Sequence, residues 1–228
     1  MSNRVYPRAG GEDDIGLRAF PGDAGKCGKG ARSASLEKYQ HIADDMSIDA
    51  VVAIERMGRA ADGGYYTMRG RDMALSVDLA ELDYLAEVRN CRGADMRVVA
   101  VGDGGNEMGM GKVRSAVQEH IPDGTTIGSL VGCTDLIVCG VSNWGAWALC
   151  LGLLQGRFEK ETLGFYPQTD RPGIAASDLL SIDGERQVLE GLVAAGAHDG
   201  VTFEASASVD GIQWPFHACM LSRMLMLV

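Results

Sequence analysis

Positive charge is scarce in this sequence: 21 lysines and arginines stand against 31 aspartates and glutamates, a net charge of -10 over 228 residues. Phosphate backbones are bound by clustered Lys and Arg, so the balance argues against a nucleic-acid partner. Long hydrophobic runs are also missing. The nearest approach, Leu136 to Leu154, is interrupted by Ser142, Asn143 and three glycines, and reads as strand, loop and buried helix rather than a bilayer span. The six cysteines show no C-x-x-C spacing, and three lie in apolar runs, the pattern of reduced core thiols in a cytosol-like compartment. No His and Cys cluster offers the ligand set that selects zinc. The N-terminus has no apolar signal core, and Glu12, Asp13 and Asp14 count against an acid-poor transit peptide. These absences predict a cytoplasmic protein with neither membrane nor nucleic acid as partner; assembly into a homo-oligomer is left open.

The most informative feature present is the stretch Gly102 to Lys112, which places Asp103, Asn106 and Glu107 among five glycines. The apolar run Met96 to Val101 before it reads as a buried strand, and Lys112 to His120 after it as a helix. A G-x-G-x-x-G dinucleotide fingerprint starting at Gly102 would put Glu107 in its third glycine position, where negative charge repels a pyrophosphate. A Walker pattern aligned on Gly111-Lys112 would need glycine at Asn106 and a hydroxyl at Val113. Both are excluded. The turn is instead rich in oxygen ligands, suited to a cation, an ammonium group or general acid/base work.

Strands are expected at Asp49 to Ile54, Arg97 to Val101 and Leu136 to Cys139, and helices at Leu36 to Met46, Leu79 to Arg89, Lys112 to His120, Ala146 to Leu154, Ser177 to Ala195 and Phe216 to Val228. Gln155 to Gly173 reads as irregular and Val201 to Val209 as extended. Alternation of this kind predicts an α/β fold: a mostly parallel sheet with helices on both faces and the site at the carboxyl edge of the strands. Residues 1–35, rich in Gly and charge without periodicity, are expected to be a flexible tail before a single domain over 36–228.

Within that edge, Asp103 serves either as a helix cap or in chemistry with Glu107, four residues on. The polar loop Glu55 to Gly70 supplies Arg56, Arg59 and Arg69; a guanidinium holds a carboxylate by two parallel hydrogen bonds. Ser142 and Asn143 lie where a strand yields to a helix, so they either cap that helix or contact substrate. The G-V-S-N-W-G context lacks the G-x-S-x-G spacing of a hydrolase nucleophile.

Several blocks occur together in fixed order: Ile54-Glu55-Arg56, Gly58 to Gly63, Tyr65 to Gly70, the G-D-G-G-N-E-M-G-M-G-K turn, Gly140 to Gly145, Val209-Asp210-Gly211 and His217-Ala218. Over roughly residues 45–225 they resemble the D-glutamate cyclase family, bacterial proteins with a mitochondrial animal relative. The resemblance implies a hydro-lyase that closes D-glutamate to 5-oxo-D-proline with loss of water. It also implies a role for His217 and favours Arg69 as the clamp on the α-carboxylate, with Arg59 beside it. The family's N-terminal strand and glycine- and proline-rich turn find no match, so the chain reads as N-terminally truncated and slower than its relatives.

Ring closure needs a neutral amine to attack the γ-carboxyl carbon while one oxygen leaves as water. Glu107 or Asp103 is expected to take the ammonium proton, while Asn106 and the Gly104 and Gly105 amides hold the γ-carboxyl and Ser142 and Asn143 contribute to substrate binding. No cofactor is required by this scheme. Magnesium or manganese held by Asp103 and Glu107 is the variant, acting as a Lewis acid. A non-catalytic relative that binds an acidic amino acid or a cation is the alternative reading.

Overall fold

The computed structural model describes residues 50–73, 96–162 and 180–227, together with residue 41. The expected tail over 1–35 and the helix over 79–89 lie outside the described residues, as does the helix over 36–46 apart from residue 41, which is helical.

Three strands, β1 (Ala50–Ile54), β2 (Arg97–Gly102) and β3 (Asp135–Val138), form one sheet in the order β1-β2-β3. Both pairings are parallel, with Ile54 opposite Val101 and Val101 opposite Ile137. The fold is therefore α/β with a parallel sheet, and the register sets one consequence. The segments leaving all three carboxyl ends, at Glu55, Asp103 and the Gly140 to Ser142 bend, emerge side by side.

Alternation within the strands divides the sheet into two faces. Val51, Ala53, Val98 and Ala100 are buried on one of them; burying a valine side chain in this way contributes about 1.5–3 kcal/mol. The glycine-rich turn and the segment running through Val131 pack there, with the Gly109 and Gly111 amides donating to the Val131 carbonyl at 2.8 and 3.1 Å. The long helix packs on the other face over Val101, leaving Val52 and Ile54 on β1 exposed. It approaches so closely that a Cβ on Gly145 would stand 2.5 Å from Val101 Cγ1 and 2.8 Å from Cys139 Sγ, which accounts for glycine in its first turn.

The helices are α1 (Arg114–His120), entered through a 3-10 turn at Met110–Val113, then α2 (Gly124–Ile127), α3 (Ser142–Thr162), α4 (Ile182–Ala194) and α5 (Trp214–Leu225). A two-stranded hairpin, β4 (Ser208–Val209) and β5 (Ile212–Gln213), precedes α5. Trp147, Leu151, Leu180 and Leu221 form a second buried cluster that joins α3 to α5.

Several boundaries differ from expectation for identifiable reasons. Helix α4 starts at Ile182 rather than Ser177, because Ser181 is extended and caps it by accepting from Gly184 N at 3.1 Å. Helix α3 starts at Ser142 rather than Ala146 and runs through Gln155 to Thr162, because tertiary packing of its apolar side overrides the two glycines at 152 and 156. A short helix, Gly124–Ile127, adds an element that the expected set lacked; it follows Asp123, whose backbone is left-handed at φ 55°. Only Ser208–Val209 is strand within the Val201 to Val209 run, since Asp199 captures the Val201 and Thr202 amides and holds a turn. Helix α5 begins two residues early, with Pro215 in its first turn, where a missing N–H costs nothing.

Candidate active site

The loop leaving β1 is zipped to the glycine-rich turn. Glu55 N donates to Val101 O at 3.1 Å, Met108 N to Arg56 O at 2.7 Å and Gly58 N to Asn106 O at 2.9 Å, and Met57 bridges Glu107. This pairing carries the Glu55 side chain to the turn. One carboxylate oxygen each from Glu55, Asp103 and Glu107 lies within 4.8 Å of the other two. The structure thus brings together Asp103 and Glu107, which sequence singled out, and adds Glu55, which it left in a loop.

The three acids are held differently. Glu107 is 2 % exposed, and its carboxylate closes on its own turn: Oε1 accepts from Gly104 N at 2.8 Å and Asp103 N at 3.4 Å, and Oε2 accepts from Gly105 N at 2.7 Å. Gly105 adopts φ +107°, which lets its amide point inward. Burial pushes the Glu107 carboxyl above its ordinary range, with Asp103 adding repulsion, while the amides of the turn pull the other way. Asp103 is half-buried, and its Oδ2 accepts from both the backbone N–H and the hydroxyl of Ser142, each at 3.0 Å. It thereby faces the N-terminus of α3, where the helix dipole favours negative charge.

Glu55 remains exposed. Crowding by protein atoms pushes its carboxyl up to about 7; a hydrogen bond with Ser142 lowers it, and repulsion from Asp103, Glu107 and Asp210 raises it. Its backbone is left-handed, φ 53°, although it is not glycine. Such strain in a non-glycine residue survives only where neighbouring structure imposes it.

The remaining candidates are distributed around this cluster. Asn106 is buried and its Nδ2 donates to Tyr66 O at 2.7 Å, tying the turn to the loop after β1. The Gly104 and Gly105 amides point at Glu107, so the γ-carboxyl group expected on them meets donors already engaged. Ser142 is buried on Asp103, and Asn143 stands exposed at the start of α3. Arg69 lies with its guanidinium 4.7 Å over the Phe203 ring and donates from Nη2 to Val201 O at 3.3 Å. Arg59 is half-buried, and its carbonyl accepts from Leu130 N at 2.7 Å.

His217 is 1 % exposed. Trp144 Nε1 donates to its Nδ1 at 2.9 Å, which makes Nδ1 an acceptor and places the ring hydrogen on Nε2, 2.9 Å from Ile212 O. Both nitrogens are occupied, so His217 locks α3, the hairpin and α5 together.

Sequence reading also passed over Asp199 and Asp210. Asp199 is 5 % exposed and accepts from Val201 N, Thr202 N, Gly211 N and Ser208 Oγ at 2.7–3.1 Å. Burial alone would raise its carboxyl, but these donors outweigh it and hold the group far below the usual carboxylate range. Asp210, left-handed at φ 53°, has its carboxyl raised by burial and by repulsion from Asp103 and Asp199, with His217 opposing. A cavity of about 310 Å³ opens beside it, with Asn143, Ser206 and Asp210 in its polar wall and Val188, Leu192 and Trp214 in its apolar one. The signals for Glu55 and Asp210 were their places in two of the ordered blocks and their positions: the first residue past a parallel strand, and the tip of an Asp-Gly turn.

Among the described residues, no helix is long and apolar enough to cross a membrane. Among known proteins, the family described as D-glutamate cyclase-like, C-terminal, matches residues 16–225, starting earlier than the ordered blocks at 54–218. Human mitochondrial D-glutamate cyclase is 37 % identical over 178 residues, which is 74 % of this chain and 28 % of the human protein. The chain thus spans well under half of that relative's length.

Proposed function

Since the chain belongs to the D-glutamate cyclase-like family, we propose that it is a hydro-lyase closing D-glutamate to 5-oxo-D-proline with loss of water. The observation that carries this reading is the convergence of Glu55, Asp103 and Glu107 at the carboxyl edge of the sheet.

The reaction is balanced in protons. The α-ammonium and the γ-carboxylate become an amide and one water, so two protons pass from nitrogen to the departing oxygen, none entering or leaving overall. The work therefore falls to groups that accept and return protons near neutral pH. A carboxyl cluster in which crowding pushes one member up to about 7, and burial raises another, is suited to that exchange. Asp103 is the more accessible of the two bases named from sequence, and Ser142 fixes its direction. Glu107, sealed by the backbone of its own turn, sets the shape of the turn and the local field. His217 supports the site through Trp144 and Ile212.

Arg69 remains the proposed clamp for the α-carboxylate, with Arg59 in the same loop. A guanidinium carries five N–H groups, so its seat on Phe203 and Val201 is compatible with a further carboxylate. Ser142 and Asn143, at the entry to α3, would line the space for the substrate.

The acids do not make a good hard-cation site. Both Glu107 oxygens already accept backbone N–H groups, which leaves Glu55 and Asp103, and two monodentate carboxylates are few for magnesium or manganese. No step of the proposed reaction is routed through a metal.

The test is incubation of the purified protein with D-glutamate and with L-glutamate, followed by chiral chromatography of 5-oxoproline. D-selective product is expected. Binding of D-glutamate without product would favour a non-catalytic relative.

A further inference from the structure

The cavity of about 310 Å³ is lined by none of Glu55, Asp103 and Glu107, so it is a feature separate from the acid cluster. Its apolar wall is the side of α4 that carries Val188 and Leu192, one turn apart, continued by Trp214. The two aliphatic side chains are 60 % and 53 % exposed, so apolar surface of this wall stands in water. Trp214 is held by stacking on His217, with ring centroids 6.4 Å apart and planes 27° from parallel. Asn143, Ser206 and Asp210 make the polar wall. Apolar lining with a few fixed polar groups is the make-up of a small-molecule site.

The charge of the lining decides which ligand fits. Glu185, Asp199 and Asp210 border the cavity, and among its described lining residues there is no lysine or arginine. Two of these acids are already engaged: Asp199 by backbone amides and Ser208, and Glu185 by Trp147 Nε1 at 2.9 Å. Asp210 is different. Among the described residues no donor is hydrogen-bonded to its carboxylate, while partial burial and repulsion from Asp103 and Asp199 push that carboxyl above its usual range. A positive group relieves this imbalance. The position of Asp210 is fixed all the same, because Asp199 grips the chain on both sides of it, through Ser208 Oγ at 2.7 Å and Gly211 N at 2.9 Å. An anion held in place without a donor, beside an apolar wall, is preorganised for a cation with an apolar body.

We propose that this cavity is a binding site for a small amine with an apolar body, its ammonium group paired with Asp210 and its hydrocarbon part laid over Val188, Leu192 and Trp214. The site is additional to the one proposed for D-glutamate, which has no hydrocarbon surface for this wall and two carboxylates that would meet no lysine or arginine in it. Asn143 follows the Ser142 that holds Asp103, so the two sites adjoin there.

The experiment titrates the full chain at pH 7 with 2-phenylethylamine, with its neutral counterpart 2-phenylethanol and with methylamine, by calorimetry. The phenyl amine should bind about 10-fold or more tighter than the alcohol, the scale of one charge-assisted hydrogen bond. It should also bind about 10-fold or more tighter than methylamine, which brings a cation but nothing to cover the wall. Asp210→Asn should erase the preference for amine over alcohol, and asparagine tolerates the left-handed backbone at this position. Leu192→Ala, at an exposed position, should weaken both phenyl ligands and keep the preference. Equal binding of amine and alcohol by the wild type, or no binding of the amine at millimolar concentration, would overturn the proposal. So would a preference that persists in an Asp210→Asn protein melting with the wild type, or amine binding undiminished by Leu192→Ala. Displacement of the bound amine by D-glutamate would make the cavity the acidic amino acid's own and equally refute a second site. None of these readouts uses 5-oxoproline formation, so failure of the cyclase reading leaves them standing.

Discussion

Asp199→Asn is a near-isosteric change whose cost follows from the hydrogen bonds around it. In the wild type Oδ1 accepts from Val201 N and Thr202 N, both at 2.8 Å, while Oδ2 accepts from Ser208 Oγ at 2.7 Å and Gly211 N at 2.9 Å. An asparagine keeps the first pair and turns an NH₂ toward the second. The Ser208 hydroxyl can rotate and accept from it; the Gly211 amide cannot, and it is left with the 3.1 Å contact to Oδ1. Losing a charge-assisted bond at a buried site and opposing one donor costs about 2–3 kcal/mol. At about 2–4 °C per kcal/mol for a chain of this size, the melting temperature should fall by about 4–12 °C at pH 7. The sign of the pH dependence is fixed too. The folded value of this carboxyl lies below its ordinary value of 3.8, so its stabilisation is complete above that pH and is lost as the pH falls toward the folded value. Thermal melts at pH 7, 5 and 3 should show an equal gap between wild type and variant at the first two and a narrower gap at the third. No gap at pH 7, or one that is undiminished at pH 3, would refute the account of Asp199 as the ionised anchor of the 199–211 segment.

Glu107→Gln should lower the rate of 5-oxoproline formation, because the new NH₂ must oppose the Gly104 or the Gly105 amide and so disturbs the turn that carries Asp103. Burial favours the neutral acid, so the stability this group contributes is present below its ordinary value of 4.5 and declines as pH rises through its folded value; the amide, which opposes one backbone donor, should melt below wild type at pH 5 by a gap that narrows at pH 8. A variant with full rate would remove Glu107 from the site. Arg69→Lys should raise KM for D-glutamate several-fold, because an ammonium reproduces neither the planar two-bond geometry nor the stacking on Phe203; unchanged KM and kcat/KM would refute the clamp. Exhaustive chelation should leave the rate unaltered, since Glu107 is committed to backbone amides; loss of rate restored by magnesium or manganese would reinstate the Lewis-acid variant.

The sheet was legible because its signal is local. Strands β1, β2 and β3 each begin and end within two residues of the apolar runs that predict them, and each is followed by a polar loop bearing glycine. The turn at Gly102 to Lys112 was legible for the same reason, and its acids do lie at the carboxyl edge. What sequence could not supply was the use made of each polar group. Glu107 lies two and three residues beyond the glycines whose amides it accepts. A side chain closing on its own turn and one opening toward a ligand have the same spacing, and only the positive φ of Gly105 and the burial of Glu107 distinguish them. His217 is a similar case, because its partners Trp144 and Ile212 stand 73 and 5 residues away.

Glu55 shows why the remainder had to wait for register. Its distance from Asp103 in sequence says nothing about proximity; the parallel pairing of Ile54 with Val101 does. Once that pairing is fixed, the residue after Ile54 and the second residue after Val101 share one edge, and β3 delivers Ser142 to the same place. The three segments bring carboxylates from two strands against the amide end of a helix from the third. That dipole steadies Asp103 but is too small to balance three negative charges. Burial first, and the mutual repulsion of the acids after it, raise the carboxyls of Glu55, up to about 7, and of Glu107. On the proposed ring closure, a carboxyl pushed up to about 7, as at Glu55, is suited to exchanging protons with an ammonium group near neutral pH.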